Sequence, residues 1–122
     1  MSRILLAAAL FLMSSLSTAW ALRVLEQPEE SYELVLRDVI LPGSEAGSVI
    51  FTPCSGCNSV TLRVTASTRY LVEGKPAKLE DLLKAAESLR QNGDASTNTA
   101  VYVYYDVESK RVNRLALDYL GR

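Results

Sequence analysis

Val60-Thr61-Leu62-Arg63-Val64-Thr65 (VTLRVT) alternates apolar and polar residues without a fault. Successive side chains on a strand point to opposite faces, so this run predicts one buried face and one wet face. Downstream, Arg69 to Glu73 (RYLVE) reads as a second strand, closed by Gly74-Lys75-Pro76. At Leu79 the period changes. Leu79, Leu82, Leu83, Ala86 and Leu89 recur at helical spacing and predict an amphipathic helix over 79–91. Glu80 and Asp81 favour its N-terminal end, Arg90 its last turn, and Asn92-Gly93 stops it. Glu80 and Lys84 are spaced to pair along it.

Asp94 to Thr99 (DASTNT) reads as a polar loop. Ala100 to Val107 and Val112 to Leu120 follow as strands, and the short polar link Glu108-Ser109-Lys110-Arg111 joins them in an antiparallel hairpin. Upstream of the opening motif, Tyr32 to Leu41 (YELVLRDVIL) is a strand of imperfect alternation. It ends at the turn Pro42 to Ser48 (PGSEAGS), and Val49 to Thr52 is a short β run. The order is β-β-β-β-α-β-β. Short connections favour antiparallel neighbours. The expected class is therefore α+β, mostly β: a small antiparallel curved sheet or partly closed barrel with one covering helix.

The N-terminus carries an address. Arg3 precedes the apolar run Ile4 to Met13 (ILLAAALFLM), then a small polar stretch, then Ala19-Trp20-Ala21. This is the layout of a secretory signal peptide, residues 1–21, cleaved after Ala21. The run is well short of the roughly 20 residues that cross a bilayer, so no stable membrane anchor is expected after cleavage. Residues 22–31, acidic and broken by Pro28, read as a flexible leader, and 32–122 as a single exported domain. The destination is periplasmic or secreted, with the periplasm preferred.

Composition narrows the chemistry. The 122 residues are 48% hydrophobic and 22% charged, enough for a packed core. Thirteen basic against fourteen acidic residues argue against a nucleic-acid partner, and no aromatic-laced basic stripe exists. Histidine is absent, which removes Ser-His and Cys-His nucleophile pairs. Carboxylates such as Asp106, Glu108 and Asp118 are scattered over the last hairpin with nothing pairing them for acid-base work. No Gly-rich phosphate loop is present. No cofactor is expected.

Between Thr68 and Leu117 the chain presents Thr68-x-Tyr70-x-Val72-x-Gly74-Lys75, Leu79-x-Asp81-Leu82, Val101-x-Val103-x-Tyr105-Asp106 and Val112. This series resembles small exported bacterial β-domains of uncharacterised role, which combine a strand, a Gly turn, a short Leu-x-x-Leu cover and a closing hairpin. A full helix stands here where those domains have a brief turn. The resemblance implies a fold and no catalytic residue.

Pro53-Cys54-Ser55-Gly56-Cys57 is the one chemically loaded motif. In an oxidising compartment the two cysteines form a disulfide that shapes a turn, with a loop so small that chain entropy supplies only about 2 kcal/mol. Two other readings stay open: a thiol-disulfide redox site, for which Cys-x-x-Cys is the usual spacing, and a soft-metal site. Against the first, Asn58 to Thr65 continues as strand rather than the helix whose N-terminus would activate a thiol. Against the second, a closed zinc site needs four ligands.

A further candidate surface lies on the closing hairpin. Val101, Val103 and Tyr105 share one face, leaving Tyr102 and Tyr104 on the other. In the partner strand Leu115, Leu117 and Tyr119 point inward, with Arg114, Ala116 and Asp118 outward. Tyr102 and Tyr104 beside Arg114 and Asp118 form a candidate recognition patch, because aromatics and Arg are favoured interface anchors. Simple cross-strand stabilisation is the plainer explanation. Together these features favour a non-enzymatic binding or scaffolding domain that meets another envelope protein, with thiol-disulfide exchange or soft-metal binding at Cys54 and Cys57 as the alternative.

Overall fold

The computed structural model describes residues 28–121. The expected signal peptide and most of the expected leader lie outside the described residues. Eight strands, a 3-10 turn and two helices follow in the order β1 (Glu29–Val35), the turn Leu36–Asp38, β2 (Val39–Ile40), β3 (Ser48–Phe51), β4 (Val60–Arg63), β5 (Arg69–Val72), β6 (Lys75–Ala77), α1 (Leu79–Arg90), α2 (Gly93–Thr97), β7 (Thr99–Asp106) and β8 (Val112–Tyr119).

The fold is α+β and mostly β, as the periodicity predicts, but the strands form two sheets rather than one. The larger has five strands in the order β1-β7-β8-β5-β6, and the smaller three, β2-β3-β4. Neither closes into a barrel. An isolated bridge between Arg63 and Arg111 joins their margins.

Not every pairing is antiparallel. β5 runs parallel to β8, with Tyr70 opposite Leu115 and Val72 opposite Leu117. Its hairpin partner β6 occupies one side through a tight turn in which Glu73 and Gly74 both have positive φ (53° and 79°). That two-residue geometry matches strand twist, and glycine adopts it without strain. The other side is filled by a strand arriving after α1, α2 and β7. A crossover of that length permits parallel pairing, whereas short connections do not.

The expected strand over 32–41 is two strands with a corner between them. Leu36 and Val39 are both buried, three residues apart, and the exposed Arg37 and Asp38 separate them. That step is helical, and the 3-10 turn carries the chain from the large sheet to the small one. Arg90, in the last turn of α1, donates to the carbonyls of Leu36 and Val39 and ties this corner down. The leader also ends earlier than residue 31. Glu29, Glu30 and Ser31 belong to β1 and pair with Asp106, Tyr105 and Tyr104.

The expected loop over 94–99 contains α2. Ser96 donates to the Gly93 carbonyl at 2.9 Å, Thr97 to that of Asp94 at 2.9 Å, and Thr99 to that of Ala95 at 2.6 Å. Hydroxyls thus satisfy carbonyls at the end of a helix too short to show an apolar stripe.

One core joins the layers. Leu79, Leu82 and Ala86 from α1, Val49, Phe51 and Leu62 from the small sheet and Val64 just beyond β4 pack with Val101, Val103, Tyr105, Leu115 and Leu117 from the large sheet. Tyr32 completes it, stacked on Tyr105 (5.5 Å between centroids) and edge-on to Phe51 (4.9 Å). The anticipated Glu80–Lys84 pair forms at 3.1 Å.

Candidate functional site

The large sheet turns Val101, Val103 and Tyr105 into the core, all at most 4% exposed. Alternation sets Tyr102 and Tyr104 on the opposite face, where both are half-buried. Register then places the neighbours: Tyr104 lies opposite Arg114, Tyr102 opposite Ala116, and Ala100 opposite Asp118. The structure therefore assembles all four candidate residues on one surface.

Their contacts make it an organised surface. The Arg114 guanidinium sits over the Tyr104 ring, 4.2 Å from its centroid, a favourable cation–π placement. Arg114 also approaches Glu29 at 3.8 Å, and Asn113 donates to the second oxygen of that carboxylate at 2.8 Å. The Tyr102 hydroxyl donates to Glu33 at 3.4 Å. Desolvation raises the Tyr102 pKa, reinforced by the Glu33 charge and by Asp118, so the phenol stays a neutral donor. Ala116 faces outward yet is only 7% exposed; Tyr102 and Leu71 flank it across the ladder.

Glu29 and Glu33 join this candidate surface, although no motif in the sequence singles them out. Glu29-x-Ser31-x-Glu33 alternates with Glu30-x-Tyr32-x-Leu34, a period-two signal that runs straight through the segment read as leader. Pro28 drew the boundary too late.

Cys54 and Cys57 lie elsewhere, in the exposed connection between β3 and β4, and are disulfide-bonded with Cα atoms 5.1 Å apart. The Cys57 N–H donates to the Cys54 carbonyl at 3.1 Å, and Gly56 takes φ +85°. This is the four-residue turn that requires positive φ at its third position, which glycine supplies. No helix begins at Ser55 or Gly56. The hollow beside Cys54 is lined by Asp38, Thr52, Pro53 and Ser55, and the one charged group among these is a carboxylate, paired with Arg37 at 3.4 Å. Among the described residues, no group of three or more Cys, Asp or Glu side chains is placed to hold a metal ion.

No protein-family model, curated protein or solved structure matches this chain. Among the described residues, no helix is long and apolar enough to cross a membrane.

Proposed function

We propose that this chain is an exported, non-catalytic binding domain of the bacterial cell envelope, and that it meets a protein partner through the outer face of its five-stranded sheet. The observation that carries the reading is the Tyr104–Arg114 stack at 4.2 Å. Two side chains of the types that dominate interfaces are already ordered against each other, so binding loses less side-chain entropy there. Glu33 holds Tyr102, and Glu29 holds Arg114, in the same way. Export rests on the 1–21 segment, and the Cys54–Cys57 bond accords with an oxidising compartment. In this reading the disulfide clasps a hairpin tip.

The test is capture of partners from an envelope extract by the wild-type protein and by Tyr102→Ser/Tyr104→Ser. The double variant is expected to lose at least ten-fold in recovery of a partner that the wild type retains, with its melting temperature little changed. Equal recovery of every partner removes the surface from the proposal. Mass spectrometry of the exported protein checks cleavage after Ala21. The redox alternative draws on the solvent exposure of both cysteines. It predicts a reduction potential well above the roughly −300 mV of structural disulfides.

A further inference from the structure

One buried threonine fixes the loop that leads into β5. Thr68, 7% exposed, donates to the Val112 carbonyl at 2.7 Å and accepts from the Thr65 N–H at 3.0 Å. The first bond clasps two segments that lie 44 residues apart in the chain. It brings Ser67 and Arg69, which flank Thr68, against Arg111 and Asn113, which flank Val112. With Glu29 and Arg114 these residues line a hollow of about 310 Å³ at the start of β5 and β8. That volume is at the lower end of the range for small-molecule sites.

Charge in this hollow is unbalanced. The parallel register sets Arg69 directly opposite Arg114, and like charges so placed weaken a sheet. The guanidiniums of Arg69, Arg111 and Arg114 meet one carboxylate, Glu29, which lies 3.8 Å from Arg114 and accepts from Asn113 at 2.8 Å. Among the described residues, the Arg69 and Arg111 guanidiniums have no ion-pair or hydrogen-bond partner. Arg111 reaches Asp106 only through its field. Three positive charges less one negative leave a surplus of two, in a chain whose net charge is -1.

We infer that this hollow binds a dianionic phosphoryl group, carried by free phosphate or by a phosphate monoester. The fork of a guanidinium matches phosphate oxygens two at a time. A dianion cancels the surplus charge and relieves the repulsion between Arg69 and Arg114, whereas a carboxylate cancels half of it. The Thr68 bond holds both arginine-bearing segments in place before the ligand arrives, which lowers the ordering cost of binding. Arg114 also belongs to the proposed partner surface. Arg69 and Arg111 do not, so the two readings fail separately.

The test is an amide-shift titration of the ¹⁵N-labelled, oxidised protein with inorganic phosphate and with glycerol 3-phosphate, at constant ionic strength. Sulfate serves as a dianion of the same shape and acetate as a monoanion. Saturable shifts are expected at Ser67, Arg69, Arg111 and Asn113, with acetate at least ten-fold weaker. Tighter binding of phosphate assigns the free ion, and tighter binding of glycerol 3-phosphate assigns a monoester. Phosphate monoesters lose their second charge near pH 6, so glycerol 3-phosphate is expected to bind about ten-fold more weakly at about pH 5 than at about pH 7.5. Sulfate keeps both charges and is expected to bind equally at the two. Arg69→Gln and Arg111→Gln are each expected to weaken binding at least five-fold without lowering the melting temperature, since Arg69→Gln removes an opposed like charge. Lys84→Gln takes the same charge from α1 and is expected to leave binding within two-fold. No saturable shift up to about 20 mM phosphate overturns the inference. So do equal shifts with acetate, equal losses in all three variants, or a fall in sulfate binding parallel to that of glycerol 3-phosphate.

Discussion

Two hairpins of this molecule solve the same problem differently. β7 and β8 lie centrally in the five-stranded sheet, each with a neighbour on both sides, and their link is fixed by one carboxylate. Asp106 accepts from the Glu108 and Ser109 N–H groups, both at 2.9 Å, and its own N–H reaches the Arg111 carbonyl. β3 and β4 belong to a sheet of three short strands and end in a largely exposed connection. Their tip is held by a covalent bond across one turn. The difference teaches where the chain needs a disulfide: at the tip that packing does not reach, and not at the one the core already holds.

The largest expected effect sharpens this contrast. Leu115 on β8 is 0% exposed, so Leu115→Ala leaves a cavity in the middle of the large sheet. A loss of about 3 kcal/mol is expected in urea unfolding. Next, reducing the disulfide, or replacing both cysteines by Ser, is expected to cost about 2 kcal/mol at most. Hydrogen exchange then gives the sharper reading. On reduction, protection is expected to fall around β3 and β4 while the amides of β7 and β8 keep their relative order. A uniform fall across both hairpins breaks the comparison, because it makes the bond a global staple instead of a local clasp.

The same contrast shows what the sequence made legible. The faces of β4, β7 and β8 and the stripe of α1 were readable because each buries one side against one core, and burial is what periodicity reports. The Cys pairing was readable because two cysteines in an exported chain most simply join each other. The sheet order was not. Parallel pairing of β5 with β8 depends on how the chain returns through α1 and α2, and no local pattern encodes that path. The 3-10 corner at Leu36–Asp38 left only a fault in alternation, and α2 is held by hydroxyl-to-carbonyl bonds that look like loop chemistry in one dimension. At the candidate surface, the tyrosines and Arg114 could be assigned to one face, but their acidic holders come from a strand far away in sequence. Glu29 and Arg114 meet only because β1 and β8 both flank β7.

The smallest effect tests the carboxylate itself. The Ser109 N–H bond lowers the Asp106 pKa below its ordinary 3.8, with the Glu108 N–H and the Arg111 charge acting the same way, and these outweigh desolvation. A carboxyl whose folded pKa is depressed binds its proton more readily in the unfolded chain. Its stabilisation is therefore complete above the unfolded value, near 3.8, and is lost as pH falls through the lower folded value. Asp106→Asn keeps an acceptor oxygen for both N–H groups but no charge. Melting temperatures of the two proteins are expected to differ by a small, constant amount above about pH 5 and to converge below pH 3. The disulfide-clasped hairpin has no such carboxylate across its tip, so Cys54→Ser/Cys57→Ser should change the height of the stability curve and leave its acid limb unshifted. If that variant alters the acid limb as Asp106→Asn does, the two tips are coupled through the Arg63–Arg111 bridge between the sheets, and the division into a covalent and an electrostatic hairpin fails.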